Sequence, residues 1–199
     1  TRPLERMVAE VIPWAALRRN VDEGRIHALA VTATEIASGR SIVWVDNRQH
    51  AVRPWIHDPW VIPRVTEIGP THALASAAIP FLFPAYKVNR EFFGDGSMRQ
   101  VAPVSPALHL GADRVLVIGT AKIRSEAPER TRGDVYPSLA QVAGHVMNSI
   151  FLDSLAVDIE RMERINRTIS VTPPEKLREM GLSLHHVDVL VITPSEALD

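Results

Sequence analysis

Cysteine is absent from these 199 residues. That excludes a disulfide framework, a thiol nucleophile and any thiolate metal site. Aromatic side chains are scarce, at 6% of the chain, and neither sign of charge dominates: 22 Lys and Arg face 23 Asp and Glu, for a net charge of -1. A balance so close to zero carries no electrostatic footprint for nucleic acid. No apolar run approaches the ~20 residues of a membrane span; runs such as Val115–Ile118 and Val189–Ile192 have the length of strands. The chain has no Gly-Lys-Ser/Thr phosphate loop. It opens without a charged segment leading into an apolar one, so no signal peptide is visible; the compartment stays unknown, with a cytoplasmic setting favoured. What is present is the ordinary mixture of a globular protein, 46% apolar and 23% charged. The length suits one domain with a real core.

The periodicities predict alternating helices and strands. Leu4–Arg19 reads as a helix interrupted at Pro13, and Arg25–Glu35 as a buried strand. Ala37–Arg40 is a turn into a second strand, Ser41–Asp46, making a β-hairpin. Asn47–Pro63 shows no period. Thr71–Ile79 is a short helix of small residues stopped by Pro80, and Tyr86–Phe93 a strand. Pro103–Leu110 is a short helix closed by Gly111, Arg114–Thr120 a buried strand, Ser125–Asp134 a polar loop, Ser138–Arg167 a long helix and Val187–Thr193 the last strand. This alternation argues for an α/β domain with a mainly parallel sheet holding Ile26–Thr34, Glu91–Phe93, Arg114–Ile118 and Val187–Ile192. Both ends read as cuts through a larger protein.

The sharpest chemical feature is Phe92-Phe93-Gly94-Asp95-Gly96-Ser97. One acid follows an apolar strand between two glycines, which let other backbone approach closely. An Asp at the carboxyl end of a strand sits where α/β proteins place their ligands. The plainer reading is an Asp-Gly turn.

In order along the chain stand Ala30-Val31-Thr32-Ala33-Thr34 with Ser38-Gly39, then His72-Ala73-Leu74-Ala75-Ser76-Ala77-Ala78-Ile79-Pro80, the Asp95-Gly96-Ser97 turn, Pro103-Val104, and Leu110-Gly111-Ala112-Asp113. Over roughly Ala28–Thr120 this set resembles the bacterial branch of the patatin-like phospholipases. The resemblance implies a three-layer α/β/α fold, one partial domain over residues 1–199, and a Ser-Asp dyad in which Asp95 is the general base and Gly94 and Gly96 shape its turn. It further implies a lipid or ester substrate, contact with a membrane surface, and no cofactor or metal. The pattern departs from that family at one place that matters. No serine here stands in a G-x-S-x-G elbow: Ile36 precedes Ser38, and Leu74 precedes Ser76, where the first glycine is required. The base half of a dyad is present and the nucleophile half is not.

Chemistry sets what such an Asp needs. A serine hydroxyl attacks only when a base takes its proton, and a fully solvated carboxylate is a weak one. Burial beside Phe92 and Phe93 is the expected remedy. A different class remains open, a noncatalytic α/β binding or scaffold module that keeps the Asp turn as structure. Other candidates read more simply as architecture. His185, His186 and Asp188 lack a further metal ligand, and His72 with Ser76 fits a half-buried helix face. Asp153, Asp158, Glu160, Arg161, Glu163 and Arg164 form the solvated side of the long helix, and Trp14, Trp44, Trp55 and Trp60 are core and loop packing. The missing start of the domain would leave part of the sheet and a strand edge uncovered, so either a homo-oligomer or poor solubility of this chain alone is expected.

Overall fold

The computed structural model describes residues 2–53, 55, 60–99, 103–119, 138–180 and 184–194. The chain divides into two compact units, Thr1–Gln100 and Val101–Asp199. Helices and strands mix in both, so the class is α/β.

In the first unit, α1 (Arg2–Val11) and α2 (Trp14–Asp22) are separated at Pro13, and the Trp14 indole N–H donates to the Val8 carbonyl at 3.0 Å. β1 (Ala28–Glu35) turns through Gly39 (φ +67°) into β2 (Ser41–Asn47), closed by the Glu35 N–H on the Arg40 carbonyl at 2.9 Å. β3 (Val61–Val65) lies within and beyond the stretch that showed no period. Pro63 hides it from a pattern search. The proline is tolerated because β3 is an edge strand. After α3 (Pro70–Ser76), the expected strand Tyr86–Phe93 is two strands, β4 (Tyr86–Val88) and β5 (Glu91–Asp95), folded back at Asn89, whose φ is +56°.

The five strands run in the order β3-β2-β1-β5-β4. Only β2 with β3 is parallel; β1–β2, β1–β5 and β4–β5 are antiparallel. The mainly parallel sheet expected from the sequence is therefore a mixed one here. The reason lies in the connections: parallel neighbours need a crossover of a dozen or more residues, whereas the β1–β2 and β4–β5 turns are hairpin-short. The core gathers Ala33, Ile42, Trp44, Ile68, Ala75, Val88 and Phe93, with Trp44 edge-on to Phe93 at 4.8 Å between ring centres. Asp46, 2% exposed, accepts from the Ile68 N–H and from Arg18, tying α2 to the sheet.

In the second unit, α4 (Ser105–His109) is followed by Gly111 at φ +91°. β6 (Arg114–Ile118) and β7 (Asp188–Ile192) pair in parallel as a separate two-stranded sheet, so they do not extend the first one. α5 (Leu139–Val171) starts at a reciprocal cap: the Gln141 N–H donates to the Ser138 hydroxyl, and the Ser138 N–H to the Gln141 side chain. α6 (Pro174–Glu179) follows, and Val104, Met162 and Val187 form the core. The loop expected over Ser125–Asp134 and the Asp153 side chain lie outside the described residues. None of the described helices is long and apolar enough to cross a membrane.

Asp158 corrects the solvated-face reading of α5. It is 8% exposed and accepts the Val104 N–H at 2.9 Å, because its helix face packs on the loop before α4. Burial raises its pKa above the ordinary 3.8, against the lowering effect of that hydrogen bond. The folded state thus holds this proton more tightly than the unfolded chain. Its stabilising effect is present below the ordinary value and is lost as pH rises through the raised one. We expect Asp158→Asn, which keeps an acceptor for Val104 and carries no charge, to melt at or above the native temperature at neutral pH by circular dichroism. The gap should close in acid. A lower melting temperature at neutral pH would count against this account.

Candidate active site

Asp95 closes β5 and opens a single 3₁₀ turn, Gly96–Met98. Its Oδ1 accepts from the Ser97 N–H at 2.9 Å and from the Ser97 hydroxyl. Among the described residues nothing hydrogen-bonds Oδ2. The backbone is held on two sides. The Asp95 N–H donates to the Ala78 carbonyl at 3.0 Å, and its own carbonyl accepts from the Thr34 hydroxyl at 2.9 Å. The turn therefore sits directly after a strand, against the chain that leaves the small-residue helix α3, as the glycine bracket suggested.

The two glycines serve differently. A Cβ on Gly96 would stand 2.3 Å from the Thr32 carbonyl oxygen, so the turn rests on the β1 backbone itself. A Cβ on Gly94 would come closest to side-chain atoms of Ile36 and Met98, each at 3.1 Å, with the Ala78 carbonyl oxygen at an ordinary 3.8 Å. Of the two phenylalanines expected to bury the carboxyl, Phe93 is 1% exposed but Phe92 is 53% exposed. Neighbours in a strand point to opposite faces, so only one of them can lie on the buried side.

Beyond Pro80 the chain makes a tight loop, with the Leu82 and Phe83 N–H groups both on the Ile79 carbonyl. Phe81 at its tip has φ +66° and is 96% exposed. A left-handed bulky residue costs on the order of 1–3 kcal/mol, and such strain concentrates at functional sites.

A second polar cluster lies in this unit, and sequence reasoning missed it. Arg64 reaches Glu35 at 3.1 Å and also pairs with Glu91, while the Ser38 hydroxyl donates to Glu35. The Ser38 hydrogen bond, with help from Arg64, holds the Glu35 carboxyl below its ordinary range. A lowered pKa makes Glu35 a weaker base toward the Ser38 hydroxyl it accepts from. The signal was hidden because Arg64 lies in the proline-broken β3. Ser97 could have been found, since Asp side chains commonly bond the backbone two residues on.

The remaining candidates are structural. The Nδ1 of His72 accepts the Gly69 N–H at 3.1 Å, its ring stands edge-on to Trp44, and burial lowers its pKa. It is thus engaged in capping α3 rather than in activating Ser76. His185 pairs with Asp113 and His186 with Asp188, all on the surface. Trp44 and Trp55 are buried, whereas Trp60 is about half exposed under the Arg99 guanidinium, 4.8 Å from its ring centre. No protein-family model matches the chain, and no curated protein matches it significantly.

Proposed function

We propose that this chain is part of a lipid acyl hydrolase, a phospholipase or esterase, with a Ser-Asp dyad on a patatin-like three-layer α/β/α fold. Asp95 is the general base, and the nucleophilic serine lies outside these residues. The observation that carries the reading is the division of labour within the Asp95 carboxylate: Oδ1 is fixed by Ser97, while Oδ2 has no hydrogen bond from the described residues. Fixing one oxygen aims the other, which is what a base acting on a serine hydroxyl requires. The serine oxygen would attack the ester carbonyl carbon as its proton passes to Oδ2. That proton would then go to the departing alcohol oxygen. Water would release the acyl group by the reverse exchange, with no cofactor in the scheme. The test is fatty-acid release from phospholipid vesicles and from soluble esters by the whole protein. Release is expected, and its absence from both substrate forms would defeat the proposal.

A second reading has an observation of its own. The two Ser97 contacts also make Asp95 a cap for the turn, which suits a noncatalytic binding or scaffold module. Under that reading the open oxygen has no task, and replacing Asp95 alters stability alone.

A further inference from the structure

We infer that Thr34 is a positioning residue for the Asp95 carboxylate, acting through the Asp95 main chain. The β1–β5 ladder leaves that main chain unpaired. Its register sets Thr34 opposite Gly94 and Ala33 opposite Asp95. At the other end of the same register the Ile36 N–H donates to the Phe92 carbonyl at 2.9 Å, so Ile36 and Phe92 are a hydrogen-bonded pair. Bonded and unbonded pairs alternate in an antiparallel ladder, which makes Thr34–Gly94 bonded and Ala33–Asp95 unbonded. The N–H and C=O of Asp95 are thus turned away from the β1 backbone. On the other side, β4 pairs with β5 only as far as Phe93. Both groups are taken by partners outside the ladder: the Ala78 carbonyl accepts the N–H at 3.0 Å, and the Thr34 hydroxyl donates to the C=O at 2.9 Å.

Thr34 is 5% exposed, and its hydroxyl makes no other hydrogen bond among the described residues. A valine would fill the same place in a strand without a polar group to bury. The hydroxyl therefore has one task, the Asp95 carbonyl. That carbonyl turns with the Asp95 ψ angle, which stands at 135°. The same angle decides where Ser97 lies relative to the Asp95 side chain, and the Ser97 N–H and hydroxyl hold Oδ1. Gly96 between them has no Cβ to restrict its own dihedrals, so the restraint comes from outside the turn. With Thr34 in place, Oδ1 stays on Ser97 and Oδ2 keeps one direction. That this direction serves proton transfer rests on the acyl-hydrolase reading; the hold on the carboxylate does not.

The test compares Thr34→Val, which keeps the shape and removes the hydroxyl, with Thr34→Ser, which keeps the hydroxyl, both in the whole protein. Thr34→Ala repeats the deletion with a smaller side chain, so one misfolded variant does not decide the matter. The first readout is the Ser97 amide proton shift in NMR as pH is varied. In native protein it should follow the ionisation of Asp95, because a charged carboxylate strengthens that hydrogen bond. Thr34→Val should lose most of this response, and Thr34→Ser should retain it. The second readout is turnover of a soluble ester at a temperature where circular dichroism shows every variant folded. Thr34→Val should lower kcat about 10- to 100-fold, the effect of a misaligned catalytic group, with KM unchanged and kcat restored in Thr34→Ser. A threonine with a structural role alone would shift the melting temperature and leave kcat of the folded protein as it was. A native Ser97 response in Thr34→Val would overturn the proposal, as would native kcat in that variant. If the native protein cleaves no ester, the acyl-hydrolase reading falls, and the Ser97 response still decides for or against Thr34.

Discussion

Asp95→Asn is expected to lower ester turnover by the whole protein about 10²–10⁴-fold, the usual loss when a positioned general base is removed. The change is nearly isosteric. The asparagine carbonyl can still accept from the Ser97 N–H and hydroxyl, so the turn keeps the bonds that hold it. What changes is the other oxygen, replaced by an NH₂ group that cannot take a proton. Because asparagine also tolerates such turns, stability should move little. Steady-state turnover of a soluble ester, measured beside thermal melting, separates the two effects. A variant with native melting and near-native turnover would remove Asp95 from the chemistry. A variant with lost stability and proportionate loss of activity would favour the capping role instead.

Gly96→Ala should be the most damaging single-methyl change in the first unit, at about 3 kcal/mol, the upper range for overpacking. The added carbon would lie 2.3 Å from the Thr32 carbonyl oxygen and 2.9 Å from its carbonyl carbon. Both are backbone atoms of β1, the central strand, so relief requires parting the turn from the sheet. Gly94→Ala has its tight contacts with side-chain atoms of Ile36 and Met98, and meets backbone only at an ordinary 3.8 Å from the Ala78 carbonyl oxygen, so it should cost much less. All 4 tryptophans lie before residue 61, within the first unit, so their emission during urea unfolding follows that unit. Equal midpoints for the two variants would contradict the close packing of Gly96 on Thr32.

These contrasts also show which features could be read from the residues. Elements with clean punctuation were legible: Pro13 divides the first two helices, Gly39 turns the first hairpin, and Gly111 follows α4. Asp95 stood out because two glycines bracket it. Pairing direction was not legible, because strand periodicity is the same for either neighbour and only connection length separates them. β3 was lost to Pro63, and the β4–β5 turn to an Asn-Arg pair that carries no glycine. The Glu35–Arg64–Glu91 cluster joins side chains from three strands far apart in sequence, with β2 between β3 and the other two, which no local pattern encodes. Asp158 looked solvated because its charged neighbours Glu160 and Arg161 are so, yet one face of α5 is buried.

The proposed dyad pairs Asp95 with a serine nucleophile located outside these residues. Labelling with a serine-directed phosphonate, followed by mapping of the modified residue, tests it most directly. Acyl transfer needs a nucleophile, a base and oxyanion donors together, and of these only the base, Asp95, is proposed within this chain. The isolated 199-residue chain is expected to take no label. In the whole protein the label should fall on a serine outside it, and Asp95→Asn should slow that labelling. Stoichiometric modification of a serine within this chain, Ser38, Ser76 or Ser97 included, would contradict it.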